Sequence, residues 1–334
     1  MSVSRGAHGA IMTQFIEVYS RISDELSEVK ERTDAALSRT AALVGCANPL
    51  ITGSNGKQFR PAMLILVSRL FHGDRDLAIR LAVAVELIHA ASLIHDDVID
   101  AAPVRRGQPT AFATVGPSNA VLSGDVIFSD VFKSLAQEGL TDALAEVARA
   151  AAEVCAGEVR ENRSRHDFAM TRQEYLKIVD LKTASLYRAS ATLGALSGKA
   201  DAAAARAAGR FGREVGMAFQ VADDLLDVAG RESEIGKPVR RDLIEGRVAL
   251  PTILYLEGLS DKDRRRSAGR FASGDGPFIM ESLDKMAEPK NVAAVRRIAE
   301  GYSRRALKLL DKLPIGLEKV SLAALCRFAA DRST

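Results

Sequence analysis

Residues 81–100 read LAVAVELIHAASLIHDDVID, and residues 213–229 read REVGMAFQVADDLLDVA. Both are apolar runs long enough for a core helix. Both end in one pattern, Asp96-Asp97-x-x-Asp100 in the first and Asp223-Asp224-x-x-Asp227 in the second. On a helix, residues spaced i, i+4, i+7 and i+11 share a face. His89, Leu93, Asp96 and Asp100 form such a stripe in a helix over 80–100. Gly216, Gln220, Asp223 and Asp227 form its counterpart over 213–229. Each helix therefore presents two carboxylates, one turn apart, at its C-terminal end. That end disfavours anions, and like charges at i, i+4 repel by roughly a few tenths of a kcal/mol. The same local cost met twice points to function. Hard cations with oxygen ligands offset it, and Mg2+ takes one or two carboxylates and shares phosphate oxygens. Two solvated helix ends are the bland alternative, and the apolar flanks weigh against them.

The remaining sequence is helical in character. No proline occurs between Pro117 and Pro238, and alanine and leucine dominate that interval. Proline breaks helix interiors, whereas alanine and leucine favour them. Met63–Val67 is the one strand-like stretch, and it also reads as a helix start after Pro61. Turn signals near Asn48-Pro49, Gly73-Asp74, Ala102-Pro103, Gly107-Gln108-Pro109, Gly116-Pro117, Gly139, Gly230, Gly274-Asp275-Gly276-Pro277 and Pro314 leave helix-sized segments between them. We read an all-α chain, a single domain over 1–334, with an N-terminal helical arm over 13–44.

Apolar residues make up 47% of the 334, enough for a large core, and the net charge of +3 gives no field that would draw nucleic acid. Cys46, Cys155 and Cys326 lie far apart, with no C-x-x-C pair, which fits a reducing compartment and no zinc site. Met1–Ala10 lacks the apolar core of a signal peptide, and no uncharged apolar run reaches transmembrane length. A cytoplasmic location is expected.

Four basic motifs complement the aspartates. Lys57 and Arg60 flank a turn, Arg105-Arg106 follows the first motif, Lys182-Thr183 lies in a mid-chain helix, and Lys237 follows the second motif. Arginine grips phosphate bidentately and lysine supplies a point charge. With the aspartates, they suggest two diphosphate pockets, one bridged by metal and one held by cations directly.

At these residues the sequence closely resembles the trans-isoprenyl (polyprenyl) diphosphate synthases. Residues 86–100 with Arg105-Arg106-Gly107 are similar to that family's first aspartate region, and 216–227 to its second. Gly124-Asp125, Lys182-Thr183, Gly236-Lys237-Pro238, Asp242, Glu245-Gly246 and Leu250-Pro251 follow in the family's order, and the likeness runs from Gln14 to Arg332. It implies an isoprenoid synthase fold, long antiparallel helices around a deep central cavity, usually as a homodimer. It implies head-to-tail condensation of isopentenyl diphosphate with an allylic prenyl diphosphate to an all-trans product, by ionisation, condensation and elimination with three Mg2+ per site. Carried over by motif, Asp96, Asp100 and Asp223 ligate Mg2+, and Asp97 and Asp227 support them directly or through water. Arg105, Lys182 and Lys237 hold the allylic diphosphate; Lys57, Arg60, His89 and Arg106 bind isopentenyl diphosphate; Thr183 and Gln220 line the allylic site. His95 is read as a structural helix-end partner. Transient membrane contact for product release is compatible with this reading.

Some positions depart from the family pattern. Gln58 stands where arginine is common, Arg240 where glycine is, Ala249 where threonine is, and Ala102 and Pro103 replace residues that are often acidic. Product length depends on side chains below Asp96: Ala91 and Ser92, then Ile88 and Leu87, then Ala84. Ala91 and Ser92 are small where a bulky aromatic would block the growing chain, so a product of geranylgeranyl length or longer is expected, with Phe128, Phe132 and Leu135 as a candidate deeper floor. A class I terpene cyclase would share the ionisation step but has little use for Lys57, Arg60 and Arg106. A non-catalytic subunit of a heteromeric synthase would tend to lose aspartates, and all six are present.

Overall fold

The structure is a computed structural model that describes residues 13–45, 58–230 and 240–331. The N-terminal arm is two helices, α1 over 13–20 and α2 over Ser23–Leu43, separated by a turn at the buried Ile22. Helix α3 (Phe59–Leu70) is buried except at Arg60 and Arg69. Met63–Val67 is helical within it, because Pro61 falls in the first turn, where its missing N–H costs no hydrogen bond. Helix α4 (Arg75–Ile99) carries the first aspartate motif, and the Asp74 side chain caps its start by accepting from the Leu77 N–H at 2.7 Å. By length and composition α4 could cross a bilayer, but 61% of its most apolar window is buried, as in a core helix.

A hairpin of two-residue strands follows, β1 (Val104–Arg105) and β2 (Gln108–Pro109), which the sequence did not lead us to expect. Its turn residues Arg106 and Gly107 have φ of 51° and 77°, positive at both positions as in a type I′ turn. The turn directs Arg105 and Arg106 back over the first motif. Helix α5 (Ala111–Gln137) kinks at Gly116 ahead of Pro117. Helices α6 (Thr141–Arg163), α7 (Arg172–Val179), α8 (Ser185–Ser197) and α9 (Ala202–Ala229) complete the central bundle. Five shorter or outer helices follow: α10 (Leu250–Glu257), α11 (Asp261–Ala272), α12 (Gly276–Met286), α13 (Pro289–Leu310) and α14 (Glu318–Ala330).

Two apolar clusters share α9. One gathers α1–α6, α8 and the first half of α9; the other gathers α7, the second half of α9 and α10–α12. Between α7 and α8 the backbone runs as one π-helical turn, Asp180–Ala184. Such turns widen the helix and are frequent at functional sites. Here the widened backbone is accommodated by glycine on both sides. A Cβ on Gly157 of α6 would lie 2.5 Å from the Lys182 backbone nitrogen, and one on Gly216 of α9 would lie 2.7 Å from the Ala184 Cα. The neighbours in both places are backbone and cannot swing aside. Gly216→Ala should therefore lower the free energy of unfolding by about 1–3 kcal/mol, measured by urea denaturation; an unchanged midpoint would mean the π turn is less tightly held than these distances imply.

Candidate active site

The two aspartate motifs lie at the C-terminal ends of α4 and α9, and the segments between α6 and α8 form a third wall. Asp97 is buried, and Arg105 Nε donates to its Oδ1 at 2.7 Å. Burial raises the Asp97 carboxyl above its usual range despite that partner. The structure thus places Asp97 against the β1 arginine. Asp100 caps α4 and is gripped by two guanidiniums, Arg165 on Oδ1 and Arg247 on Oδ2. Burial would raise its carboxyl, but Arg247 and Arg165 outweigh that and hold it below the usual carboxylate range. Asp96 lies on the α6 side. Burial pushes it up to about 7; Glu158 and Glu161 add to the shift, while Lys182 and Arg105 oppose it.

Lys182 projects from the π turn and is held by two carboxylates of α6, with its Nζ 2.5 Å from Glu158 Oε2 and 2.6 Å from Glu161 Oε2. Burial would depress this amine, but Glu161, Asp96 and Glu158 together raise it above the ordinary lysine range, so it stays charged. Its neighbour Thr183 donates through Oγ1 to Gln220 Oε1 at 2.8 Å. Gln220 Nε2 donates to Asp224 Oδ1 at 2.7 Å, and the Tyr175 hydroxyl donates to Asp224 Oδ2. Asp224 is buried, and burial pushes its carboxyl up to about 7 against the pull of those two hydrogen bonds. One polar chain thus ties the π turn through α9 to α7 and fixes the amide of Gln220. Asp227 accepts the backbone N–H of Arg241 at 3.2 Å and of Asp242 at 3.4 Å, which holds the backbone at 241–242 against the end of α9. Burial raises Asp227, and it raises Asp242 well above its usual range, with Asp227 and Asp224 adding to the latter.

A second cluster lies beside the hairpin. Glu86 and His89 on α4 both feel Arg60 and Arg106, which places those four together. Burial first, then the arginines, lower the His89 imidazole well below its usual value, so it is neutral at pH 7. The Arg60 guanidinium lies over the Tyr187 ring, 4.8 Å from its centroid. Arg106 also feels Asp223, which links this cluster to the second motif. Lys57 and Lys237 lie outside the described residues. His95 lies in the second-last turn of α4, and its Nε2–H donates to the Val121 carbonyl at 3.1 Å.

Sequence reasoning missed Glu158, Glu161, Arg165, Arg247, Tyr175 and Glu86. Glu158-x-x-Glu161 at the end of α6 was a local signal, an i, i+3 acidic pair near the same kind of helix end as the aspartates. The others come from tertiary contact. Among the described residues, no three His, Cys, Asp or Glu side chains converge as a ready-made metal cage. The donor set still suits a hard divalent ion. Glu161 of α6 raises a carboxyl of each motif, Asp96 and Asp224, and an ion that keeps waters and shares phosphate oxygens needs one or two protein oxygens rather than a cage.

Beneath the first motif, Ala91 and Ile88 are fully buried, and Ser92, Leu87 and Ala84 nearly so. Leu87 and Ala84 border a cavity of about 350 Å3 together with Ile127, Val131 and Leu135 of α5 and Ala36 of α2. Phe128 and Phe132 stack with ring centroids 6.4 Å apart, and Phe128 lies beside His95.

Comparison with known proteins supplies the family context. Residues 44–273 match the model of the polyprenyl synthetase family. Heptaprenyl diphosphate synthase component 2 of Geobacillus stearothermophilus is 35% identical over 318 residues, covering 94% of this chain and 98% of that one. The short chain isoprenyl diphosphate synthase of Methanothermobacter thermautotrophicus is 33% identical, covering 94% and 96%. The crystal structure of a polyprenyl synthase from Caulobacter crescentus complexed with calcium and isoprenyl diphosphate superposes with a TM-score of 0.85 at 28% identity, covering 96% of this chain and 98% of that one.

The raised carboxyls make metal-free stability depend on pH. A carboxyl whose folded pKa is above its unfolded value of about 4 contributes stability at low pH that is lost as pH rises through the folded value. For Asp96 and Asp224 that window runs from about pH 4 to about 7. Asp96→Asn should raise the metal-free melting temperature at pH 8 relative to the parent protein, with the gain shrinking towards pH 4. An equal gain at both ends would contradict the burial of Asp96.

Proposed function

The chain belongs to the polyprenyl synthetase family, and from that premise we propose that it joins isopentenyl diphosphate to an allylic prenyl diphosphate, giving an all-trans product of geranylgeranyl length or longer. It is a prenyltransferase of the trans-prenyl diphosphate synthase type. The observation that carries the finer reading is the pair of aspartate motifs closing one cleft with Lys182, Arg105 and Arg106 around it.

In this reading Asp96, Asp100 and Asp223 hold Mg2+, with Asp97 and Asp227 in support. Mg2+, when bound, neutralises charge on a departing diphosphate. Lys182, Arg105 and Lys237 position that diphosphate and keep its charge matched as the allylic carbon–oxygen bond breaks. The Gln220 amide, aligned by Thr183 and Asp224, presents a fixed dipole to the allylic cation, and a dipole already in place costs no reorganisation at the moment of reaction. Lys57, Arg60, His89 and Arg106 hold isopentenyl diphosphate so that its double bond faces the cation. Neutral His89 serves there as a hydrogen-bonding group. The new carbon–carbon bond leaves a tertiary cation, and a proton passes to the released diphosphate.

The family likeness supports pairing of two copies as a homodimer. A silent subunit in a heteromeric enzyme is the second reading, favoured by the word "component" in the name of the Geobacillus relative. The six aspartates and their cations support catalysis by the chain itself.

Purified protein given Mg2+, isopentenyl diphosphate and farnesyl diphosphate should release pyrophosphate and form a longer prenyl diphosphate, read by chromatography after dephosphorylation. No product from the isolated chain would favour the silent subunit, and cyclic hydrocarbons from farnesyl diphosphate alone would favour a cyclase. Ala91→Phe should shorten the product by one or more isoprene units, following the family likeness in which a bulky aromatic at this layer blocks the growing chain; an unchanged distribution would show that Ala91 does not bound the product.

A further inference from the structure

Ile315, Leu317 and Val320 are 98%, 79% and 69% exposed, three large apolar side chains within six residues. They form the tip between α13 and α14. Single exposed apolar residues are ordinary on a protein surface, whereas a contiguous group marks a contact with something else. The tip is held firmly in place. Leu310 and Leu313 before it and Leu322 after it are buried. The Lys319 ammonium donates to the Asp311 carbonyl at 3.1 Å across the bend. Gly316 sits on α3, where a Cβ would lie 2.8 Å from Leu70 Cδ1. That contact fixes which end of the bundle carries the tip. Leu70 ends α3, and the turn at 71–74 leads straight into α4, whose last turn holds the first aspartate motif. The tip and the aspartates therefore lie at opposite ends of α4. The cavity bordered by Arg80, Ala84 and Leu87 lies in the half of α4 nearer the tip. The charges divide in the same way. Between residues 304 and 327, six Lys and Arg residues stand against two carboxylates, Asp311 and Glu318. Arg304, Lys308 and Lys312 share one exposed face of α13 that runs down to Ile315. Lys308 and Lys312 make no ion pair among the described residues.

We propose that this tip docks the protein on an anionic lipid bilayer: Ile315, Leu317 and Val320 enter the boundary of headgroups and acyl chains, and Lys308 and Lys312 lie among the headgroups. Apolar side chains beside a basic face suit that surface, because burial of the first and attraction of the second add together. A protein partner suits it less. Three side chains standing clear of their neighbours cover far less than the roughly 800 Å2 per side of a stable protein interface, whereas a bilayer closes around them. The carboxylate-rich cleft then faces away from the like-charged surface and stays open to water-soluble diphosphates. The docking itself needs nothing from the proposed reaction. Its use, passing a hydrocarbon product from the cavity at this end into the bilayer, rests on that reading.

The chain contains no tryptophan, so Ile315→Trp installs a sole reporter of the tip's surroundings. The full chain is mixed with vesicles of equal parts phosphatidylglycerol and phosphatidylcholine, or of phosphatidylcholine alone. The Trp emission should move to shorter wavelength with the anionic vesicles and much less with the neutral ones. Ile315→Ser combined with Leu317→Ser should weaken partitioning, read by flotation, about 10-fold. Lys308→Gln combined with Lys312→Gln should weaken it about 10- to 30-fold on the anionic vesicles, and about 0.5 M salt should weaken parental binding in the same direction. Ile244→Ser, at an exposed apolar position beside the aspartate end, should change nothing. A Trp emission unmoved by anionic vesicles would overturn the proposal, as would an Ile244→Ser loss equal to that of the tip variants. Tip variants that alter sedimentation in lipid-free buffer would also overturn it and assign the tip to a second copy of the chain. Flotation uses no substrate, so its failure leaves the prenyl transfer reading standing, and a chain that floats but forms no product removes that reading alone.

Discussion

Asp96, Glu158, Glu161, Asp223, Asp224, Asp227 and Asp242 share one end of the bundle, each linked in charge to another of the set, and Asp100 is linked to Asp97. Two unit charges 4 Å apart repel by about 4 kcal/mol at the effective dielectric of a protein near its surface. So many carboxylates cannot be packed there without compensation. The protein compensates with Arg105 on Asp97, Arg165 and Arg247 on Asp100, Lys182 on Glu158 and Glu161, and backbone amides on Asp227. Where burial outweighs that compensation, at Asp96, Asp97, Asp224, Asp227 and Asp242, the carboxyls shift towards neutrality. The loops after α6 and α9, the π turn and the hairpin all take their positions from these pairings.

The helices were readable because their signals are local. The proline-free interval from Pro117 to Pro238 holds α6, α7, α8 and α9, and the apolar runs before each aspartate motif are α4 and α9. Met63–Val67 was ambiguous only because β-branched and straight-chain residues alternate there; burial on all sides decides for helix. The hairpin at 104–109 escaped notice because two-residue strands have no period to detect. The site was legible to the same depth. The stripe containing Asp96 and Asp100 could be drawn from spacing alone. What spacing could not show is that Asp97 on the neighbouring face pairs with Arg105, or that Arg165 and Arg247 converge on Asp100 across 65 and 147 residues. Those contacts are products of tertiary packing, and no periodicity in one chain encodes them.

The π turn shows how packing and chemistry constrain each other. Lys182 must emerge beside Asp96 while Thr183 reaches Gln220 on α9. Adjacent residues on an α-helix diverge by about 100°, and the wider π turn alters that angle over one turn. The altered backbone needs room, and glycines on α6 and α9 supply it. A geometric demand of the site is thereby met by the core, where the missing side chains leave helices unusually close.

Helix α4 carries two separable tasks. Its last turn holds carboxylates, whereas lower down Ala84 and Leu87 border the cavity shared with α2 and α5, and Ile88 and Ala91 are closed into the core. At 1.5 Å per residue, Ala84 lies about 18 Å below Asp96. A rigid helix transmits the position of the motif without transmitting the size of the side chains beneath it. A larger side chain at Ala91 therefore changes the packing of a buried layer while Asp97 and Asp100 keep their arginine partners. In the proposed reaction, leaving-group chemistry belongs to the charged end of the helix and product length to the volume beneath it.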